Sequence, residues 1–144
     1  MTNEIETLLN EIRLIYQKLV EVGDRIHADE KVSMGMRAVL EILLKNGPAT
    51  VPDIARSRSV TRQHIQVLAN ELLNRDLVEL AINPSHKRSS LLTLTSEGED
   101  LIQRMRRREF RLYEETGFGV TTEELISAAT TLETIRRALG DIRH

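Results

Sequence analysis

The residues best suited to chemistry in this chain are Thr61-Arg62-Gln63-His64, with Gln66 just beyond, and Lys87-Arg88 some twenty positions later. Glutamine can address adenine and arginine guanine by paired hydrogen bonds, and the free N–H groups at a helix start favour a phosphate. A basic pair in a polar turn can enter a narrow minor groove. These types at these spacings point to duplex DNA. Catalysis has no comparable set: Ser57 and Ser59 lack a base at a meaningful spacing, and no glycine-rich phosphate loop is present. His27, Asp29 and Glu30 could in principle hold a metal, but they read as a solvated loop between helices. With no cysteine, a thiol nucleophile, a zinc finger, an iron–sulfur centre and a disulfide framework are all excluded. The expectation is a protein that is not an enzyme and carries no cofactor or metal.

The elements that must hold these residues are legible from punctuation. Ser33 opens a helix with Val39, Leu40, Leu43 and Leu44 inward, stopped at Asn46-Gly47-Pro48. Thr50, with Asp53 three residues on, caps a short helix that has Pro52 in its first turn and buries Ile54 and Ala55. After a tight connection over 57–60, Thr61 caps a third helix that buries Ile65, Leu68 and Leu72. Short helix, turn, second helix is the helix-turn-helix spacing, in which the second helix offers its N-terminal residues to the major groove. Residues 78–82 alternate as a strand, residues 83–90 are polar and turn-forming, and residues 91–95 are rich in strand formers. A hairpin with Lys87 and Arg88 near its tip, placed after a recognition helix, is a wing.

The ends of the chain share a different pattern. Ile5, Leu8, Ile12, Ile15, Leu19, Val22 and Ile26 recur at alternating steps of three and four, as do Leu125, Ala128, Leu132, Ile135, Leu139 and Ile142 behind the capping box Thr121 to Glu124. Narrow apolar seams on both terminal helices suit a homodimer, with an intramolecular helical pair as the alternative. Between them a helix is expected from Ser96, with Glu99 as its capping-box partner and Leu101, Ile102, Met105 and Leu112 inward. Its run Arg104, Arg106, Arg107, Arg108 reads as a solvated face, because Asp100 precedes Arg104 and Arg111 precedes Glu115 at pairing distance. The resulting fold class is mainly α with a small β-wing: an N-terminal dimerisation helix over 1–32, a winged helix-turn-helix over 33–98 and C-terminal dimerisation helices over 99–144. Dimer contacts are expected from Ile5, Leu8, Ile12, Ile15, Leu19, Leu125, Leu132, Ile135, Leu139 and Ile142.

A formal net charge of −2 argues against nucleic acid only when averaged over the chain. Residues 1–48 hold six Lys/Arg and eight Asp/Glu, residues 49–96 hold six and four, and residues 97–144 hold eight and ten. The basic third contains two windows free of acids, 54–70 and 80–96, and these are the recognition helix and the wing. The four aromatics, Tyr16, Phe110, Tyr113 and Phe118, lie outside it. Single-strand stacking platforms are thereby disfavoured. No apolar run approaches the ~20 residues of a membrane helix, and the acidic N-terminus is unlike a signal peptide, so a cytoplasmic location without membrane contact is expected.

On these motifs residues 33–98 resemble the winged helix-turn-helix of the MarR family of bacterial transcriptional regulators. The matching residues are Ile54-Ala55, Asp76-Leu77-Val78 after an interval of twenty, Asn83-Pro84 and, after three intervening residues, Arg88, and Leu94-Thr95 with Gly98 after two intervening residues. The terminal helices extend the likeness over nearly the whole chain. The resemblance implies a homodimeric regulator, a repressor of transcription, on a pseudo-palindromic double-stranded operator. It implies DNA contacts from Thr61, Arg62, Gln63, His64, Gln66 and Arg88, with Lys87 beside it. It further implies release by a small phenolic or other anionic effector bound between the dimer helices and the winged domain, while the missing cysteine excludes the thiol-oxidation sensing of some relatives. Three positions depart from the family pattern: His86 replaces an acidic brace of the wing arginine, Arg58 an apolar residue, and Asp76 a glycine. The rival reading is a dimeric helical interaction module whose winged domain docks a protein.

Overall fold

The computed structural model describes residues 1–142; Arg143 and His144, the end of the expected C-terminal segment, lie outside the described residues. Two compact units divide the chain, Met1–Glu109 and a second one from Phe110 onward. Along the chain run α1 (Thr2–Ile26), a 3-10 turn (Ala28–Glu30), α2 (Met34–Asn46), α3 (Val51–Arg58), α4 (Arg62–Asn74), β1 (Val78–Ala81), β2 (Leu91–Leu94), α5 (Ser96–Thr116) and α6 (Thr122–Gly140).

Each start signal in the central region does its expected work. Ser33 Oγ accepts the N–H of Met36 at 3.1 Å, Thr50 Oγ1 that of Asp53 at 3.2 Å, and Thr61 Oγ1 that of His64 at 3.1 Å, satisfying donors that a helix leaves orphaned in its first turn. α2 ends at Gly47 with φ +78°. The apolar faces so created meet in one core: Val39, Leu40 and Leu43 of α2, Ile54 and Ala55 of α3, Ile65, Leu68, Ala69 and Leu72 of α4, Val78 and Leu92 of the hairpin, and Leu101, Ile102 and Met105 of α5. The hairpin is antiparallel with Val78 opposite Leu94 and Leu80 opposite Leu92. Ala49 exchanges two backbone hydrogen bonds with Leu92, at 3.2 and 2.8 Å, fastening the wing to the segment before α3.

One glycine is required by close approach: at Gly98 a Cβ would collide with the carbonyl oxygen of Leu77. α1 runs through Gly23 without a break, and there the only near obstacle is the movable end of the Met34 side chain. The helix beginning at Ser96 is capped differently from expectation. Thr95 takes the cap, its Oγ1 accepting the N–H of Gly98 at 3.0 Å while donating to the Asp76 carbonyl at 2.6 Å. Asp76 itself adopts φ +54°, the left-handed conformation that Asp tolerates better than most side chains.

Residues 27–30 are not the solvated loop expected. His27 is 1% exposed, and its Nε2 lies 2.9 Å from Glu109 Oε1 of α5. Glu109 also grips Arg37 of α2 through two hydrogen bonds of 2.5 Å, and Arg37 Nη1 donates to Glu41 at 2.7 Å. Burial pulls the Arg37 guanidinium towards losing its proton, but the bonds to Glu109 and Glu41 hold its pKa above the usual arginine value. Glu41, which burial would push up, is held below its ordinary value by Arg37. The arginine run is likewise less solvated than expected. Arg104 clamps Glu30 at 2.8 and 3.1 Å, Arg108 clamps Asp29 at 2.8 and 3.0 Å, and Arg75 at the end of α4 donates to the carbonyls of Lys31 and Glu30. Sequence alone could not foresee partners 74 and 79 residues away.

In the second unit α6 carries the expected capping box: Thr121 Oγ1 accepts from Glu124 N–H at 3.1 Å, and Glu124 Oε2 from Thr121 N–H at 2.7 Å. None of its residues is buried. Leu125, Leu132, Leu139 and Ile142 are exposed, with Ile135 half-buried. On α1, in the first unit, Ile5, Ile15 and Leu19 are exposed, and Leu8 and Ile12 half-buried.

Gly98→Ala should lower stability by about 3 kcal/mol, the scale of an overpacked buried site, because the obstacle is backbone rather than a movable side chain; an unchanged midpoint in chemical denaturation would show that α5 can step away. The acid limb of stability follows from the clamps. Arg104 holds Glu30, and Arg108 holds Asp29, below their ordinary values of 4.5 and 3.8. The folded state therefore binds fewer protons, so this stabilisation is complete above the unfolded pKa values and lost as pH falls through the depressed ones. Unfolding free energy should be level above about pH 5 and decline below it. Glu30→Gln should flatten part of that decline, and an identical acid limb in the variant would remove Glu30 as a contributor.

Candidate nucleic-acid interface

α3, the turn over 59–61 and α4 form a helix-turn-helix whose inner faces are in the core. The turn is closed by Ser59 with φ +54° and by the Val60 N–H donating to the Ala55 carbonyl at 3.1 Å. Since Ile65, Leu68, Ala69 and Leu72 are buried, helical spacing turns Gln63, Gln66, Val67 and Asn70 to the outside, and all four are exposed. Gln66 Nε2 donates to Asn70 Oδ1 at 2.9 Å. That bond fixes the Gln66 amide plane and leaves its carbonyl available. Thr61, its hydroxyl committed to the cap, acts first as the residue that aims the helix N-terminus.

Beyond β1 the wing tip is built from consecutive turns. Asn83 Oδ1 accepts from Ser85 N–H at 3.1 Å, the Asn83 carbonyl from His86 N–H at 3.3 Å, and the His86 carbonyl from Ser89 N–H at 3.1 Å. Between the wing and α4 lies a cleft of about 520 Å³ into which Arg62, Gln63 and Gln66 converge with Arg88. Its remaining lining includes Asn70, Leu80 and Ser90, and no carboxylate borders it. Four of the seven DNA contacts expected from sequence are thus gathered around one acid-free cleft.

The other three are not on it. Lys87 is exposed elsewhere on the wing, and Thr61 is at the cap. His64 is exposed and borders a separate cleft of about 610 Å³ with Tyr16 of α1, Arg37 of α2, Arg58 and Val60. Arg58, departing from the family pattern, is accommodated because it is exposed at the rim of that second cleft. Asn70 and Leu80, which also line the α4–wing cleft, were missed by sequence reasoning. Continuing the spacing of Gln63 and Gln66 by one more turn would have found Asn70, whereas Leu80 needed the hairpin register.

Among the described residues no group of three or more His, Asp or Glu is placed to hold a metal ion, and no helix is long and apolar enough to cross a membrane.

Comparison with known proteins agrees with this architecture. The sequence profile of the MarR family matches residues 37–89. Two uncharacterized proteins, Rv2011c of Mycobacterium tuberculosis and Mb2034c of Mycobacterium bovis, are each 34% identical over 103 residues, 72% of this chain and 71% of theirs. The crystal structure of a MarR family transcription regulator superposes with a TM-score of 0.81 at 28% identity, covering 98% of this chain and 95% of that one. Staphylococcus aureus MarR in complex with salicylate and kanamycin gives 0.84 at 18% identity, over 96% and 93% of the two chains. A mutant E. coli MarR complexed with operator DNA gives 0.80 at 20%, over 94% and 97%.

Proposed function

Because this chain belongs to the MarR family of transcription regulators, we propose that it acts in the cytoplasm as a homodimeric repressor on double-stranded DNA, released by a small anionic ligand. A transcription regulator, rather than an enzyme, is what the family comprises. One observation carries the reading of the interface: the acid-free cleft that joins Arg62, Gln63 and Gln66 of α4 to Arg88 of the wing. Glutamine and arginine side chains on α4 suit base edges in the major groove. Arg88 suits the adjoining minor groove, whose negative potential is strongest where A·T pairs narrow it. Lys87 and the α4 N-terminus then neutralise phosphates.

The exposed apolar side chains of α1 and of α6 support the dimer, since each helix by itself leaves a seam in water that a second copy would cover. Two recognition helices related by a two-fold axis would enter successive major grooves about 10 bp apart. The second cleft supports the ligand. It brings Arg37 and Arg58 together with Tyr16 and Leu19 and touches α4 through His64 and Leu68; Asp24 and Glu41 line it too, and Arg37 is bonded to Glu41 and Glu109. A molecule with an aromatic body and a single carboxylate directed at Arg58 suits that lining, and salicylate is such a molecule. Occupying a cleft that borders α4 would bias the position of the recognition helix.

Affinity for duplex DNA should fall steeply with salt, log K losing roughly 0.9 per log unit for every phosphate neutralised. Arg88→Ala should reduce that slope by about one and weaken A·T-flanked sites most. Gln63→Ala and Gln66→Ala should instead relax base preference by about 1–3 kcal/mol at the position each reads. Flat salt dependence, or no duplex binding at low salt, would overturn the reading and favour a winged domain that docks a protein.

A further inference from the structure

The wing carries an apolar strip that neither the hydrogen-bonding side chains nor the basic tip uses. Alternate residues of a strand share a face, so Val78 and Leu80 do, and Ile82 follows one residue past the end of β1. Val78 is buried in the core at 2%, Leu80 is 59% exposed, and Ile82, one step past the end of β1, is 87% exposed. Leu80 fixes where that face points. It borders the cleft that holds Arg62, Gln63, Gln66 and Arg88, and it lies opposite Leu92, which borders the same cleft. Val78 thus lies in the core and Leu80 at the cleft beside α4, and the exposed Ile82 follows two residues on, where the wing leaves the sheet.

Large aliphatic side chains held in water on a rigid hairpin gain free energy from any partner that removes them from it. The cleft selects that partner. It offers two guanidiniums, two glutamines and an asparagine with no carboxylate, which is complementary to a polyanion that also presents donors and acceptors. Duplex DNA joins such a surface to apolar ones, the C–H faces of the deoxyribose rings that wall the minor groove and the thymine methyl groups. Minor-groove proteins combine Arg with apolar side chains such as Leu and Ile, which they insert between base steps.

We propose, on the DNA-binding reading above, that Leu80 and Ile82 form an apolar DNA-contacting strip, with Ile82 packed against the deoxyribose walls of the minor groove beside Arg88. The wing then binds through two separable contributions, an electrostatic one at Arg88 and an apolar one at Ile82. Only the first releases counterions, so only the first depends on salt.

The test uses duplexes enriched by the full-length wild-type protein from a random-sequence pool, with affinities measured across a series of salt concentrations. Ile82→Ala should weaken binding about tenfold, the effect of half-burying the carbons it removes, with the slope of log K against log salt unchanged. Leu80→Ala should act in the same direction. Arg88→Ala should lower the slope by about one. Because Ile82 is almost fully exposed, its variant should unfold at the wild-type temperature, which separates lost contact from lost fold. Unchanged affinity for Ile82→Ala alongside a weakened Arg88→Ala would overturn the apolar strip and leave the DNA reading standing. A change in sedimentation mass for Ile82→Ala with DNA affinity intact would overturn it in favour of a contact between copies. Failure of the wild-type protein to enrich any duplex would overturn the DNA reading and the strip together.

Discussion

The proposed interface depends on the backbone at residues 75–77, where α4 ends and the wing begins. Asp76 takes a left-handed conformation, Thr95 Oγ1 donates to its carbonyl, the Thr95 N–H donates to the Leu77 carbonyl at 3.2 Å, and Gly98 lets α5 rest on that same peptide. Arg75 adds two bonds to the carbonyls of residues 30 and 31. Residues 30–31 and 95–98, far apart in the chain, are thus both tied to this one turn. Its geometry sets the angle between recognition helix and hairpin, and hence the width of the cleft to which Arg62 and Arg88 both contribute. A Cβ at position 98 would collide with the Leu77 carbonyl in this turn.

A second constraint holds the far side of the first unit. Arg37, Glu109, Glu41 and His27 form a largely buried polar cluster linking α2, α5 and the end of α1. Such clusters add little stability over a well-packed apolar core, since desolvating the charges consumes most of their attraction. What they add is intolerance of displacement: sliding one helix strands a charge. Arg37 also lines the cleft proposed for a ligand. An anion entering there would meet a guanidinium already bonded to Glu109 and Glu41, so any ligand bound there would compete for the hydrogen bonds that hold α2 to α5.

Charge is distributed to match. Carboxylates of residues 29, 30, 41 and 109 are consumed internally by arginines of α2 and α5. The cations around the α4–wing cleft face no carboxylate there. A chain with net charge −2 can in this way present a basic surface without any excess of basic residues, because what a polyanion meets is local field rather than total charge.

The sequence by itself determined the elements and their order. Cap residues, glycine stops and apolar periods of 3.6 and 2 are local signals, acting within one or two turns, so the helix-turn-helix, the wing hairpin and both terminal helices were legible, as were the four residues, expected as DNA contacts, that share the cleft. Tertiary structure decided everything that joins residues far apart in the chain. It buried His27 against Glu109, it spent Arg104 and Arg108 on Glu30 and Asp29 rather than on neighbours in their own helix, and it gave the cap of α5 to Thr95 because the Asp76 carbonyl stood ready for that hydroxyl. It also parted His64 from its neighbour Gln63, one residue in sequence but nearly a third of a helical turn in direction, and from Gln66. Period and capping carry no record of which face meets which neighbour. Only the packing of α4 against the hairpin turns Leu80 and Arg88 into one surface.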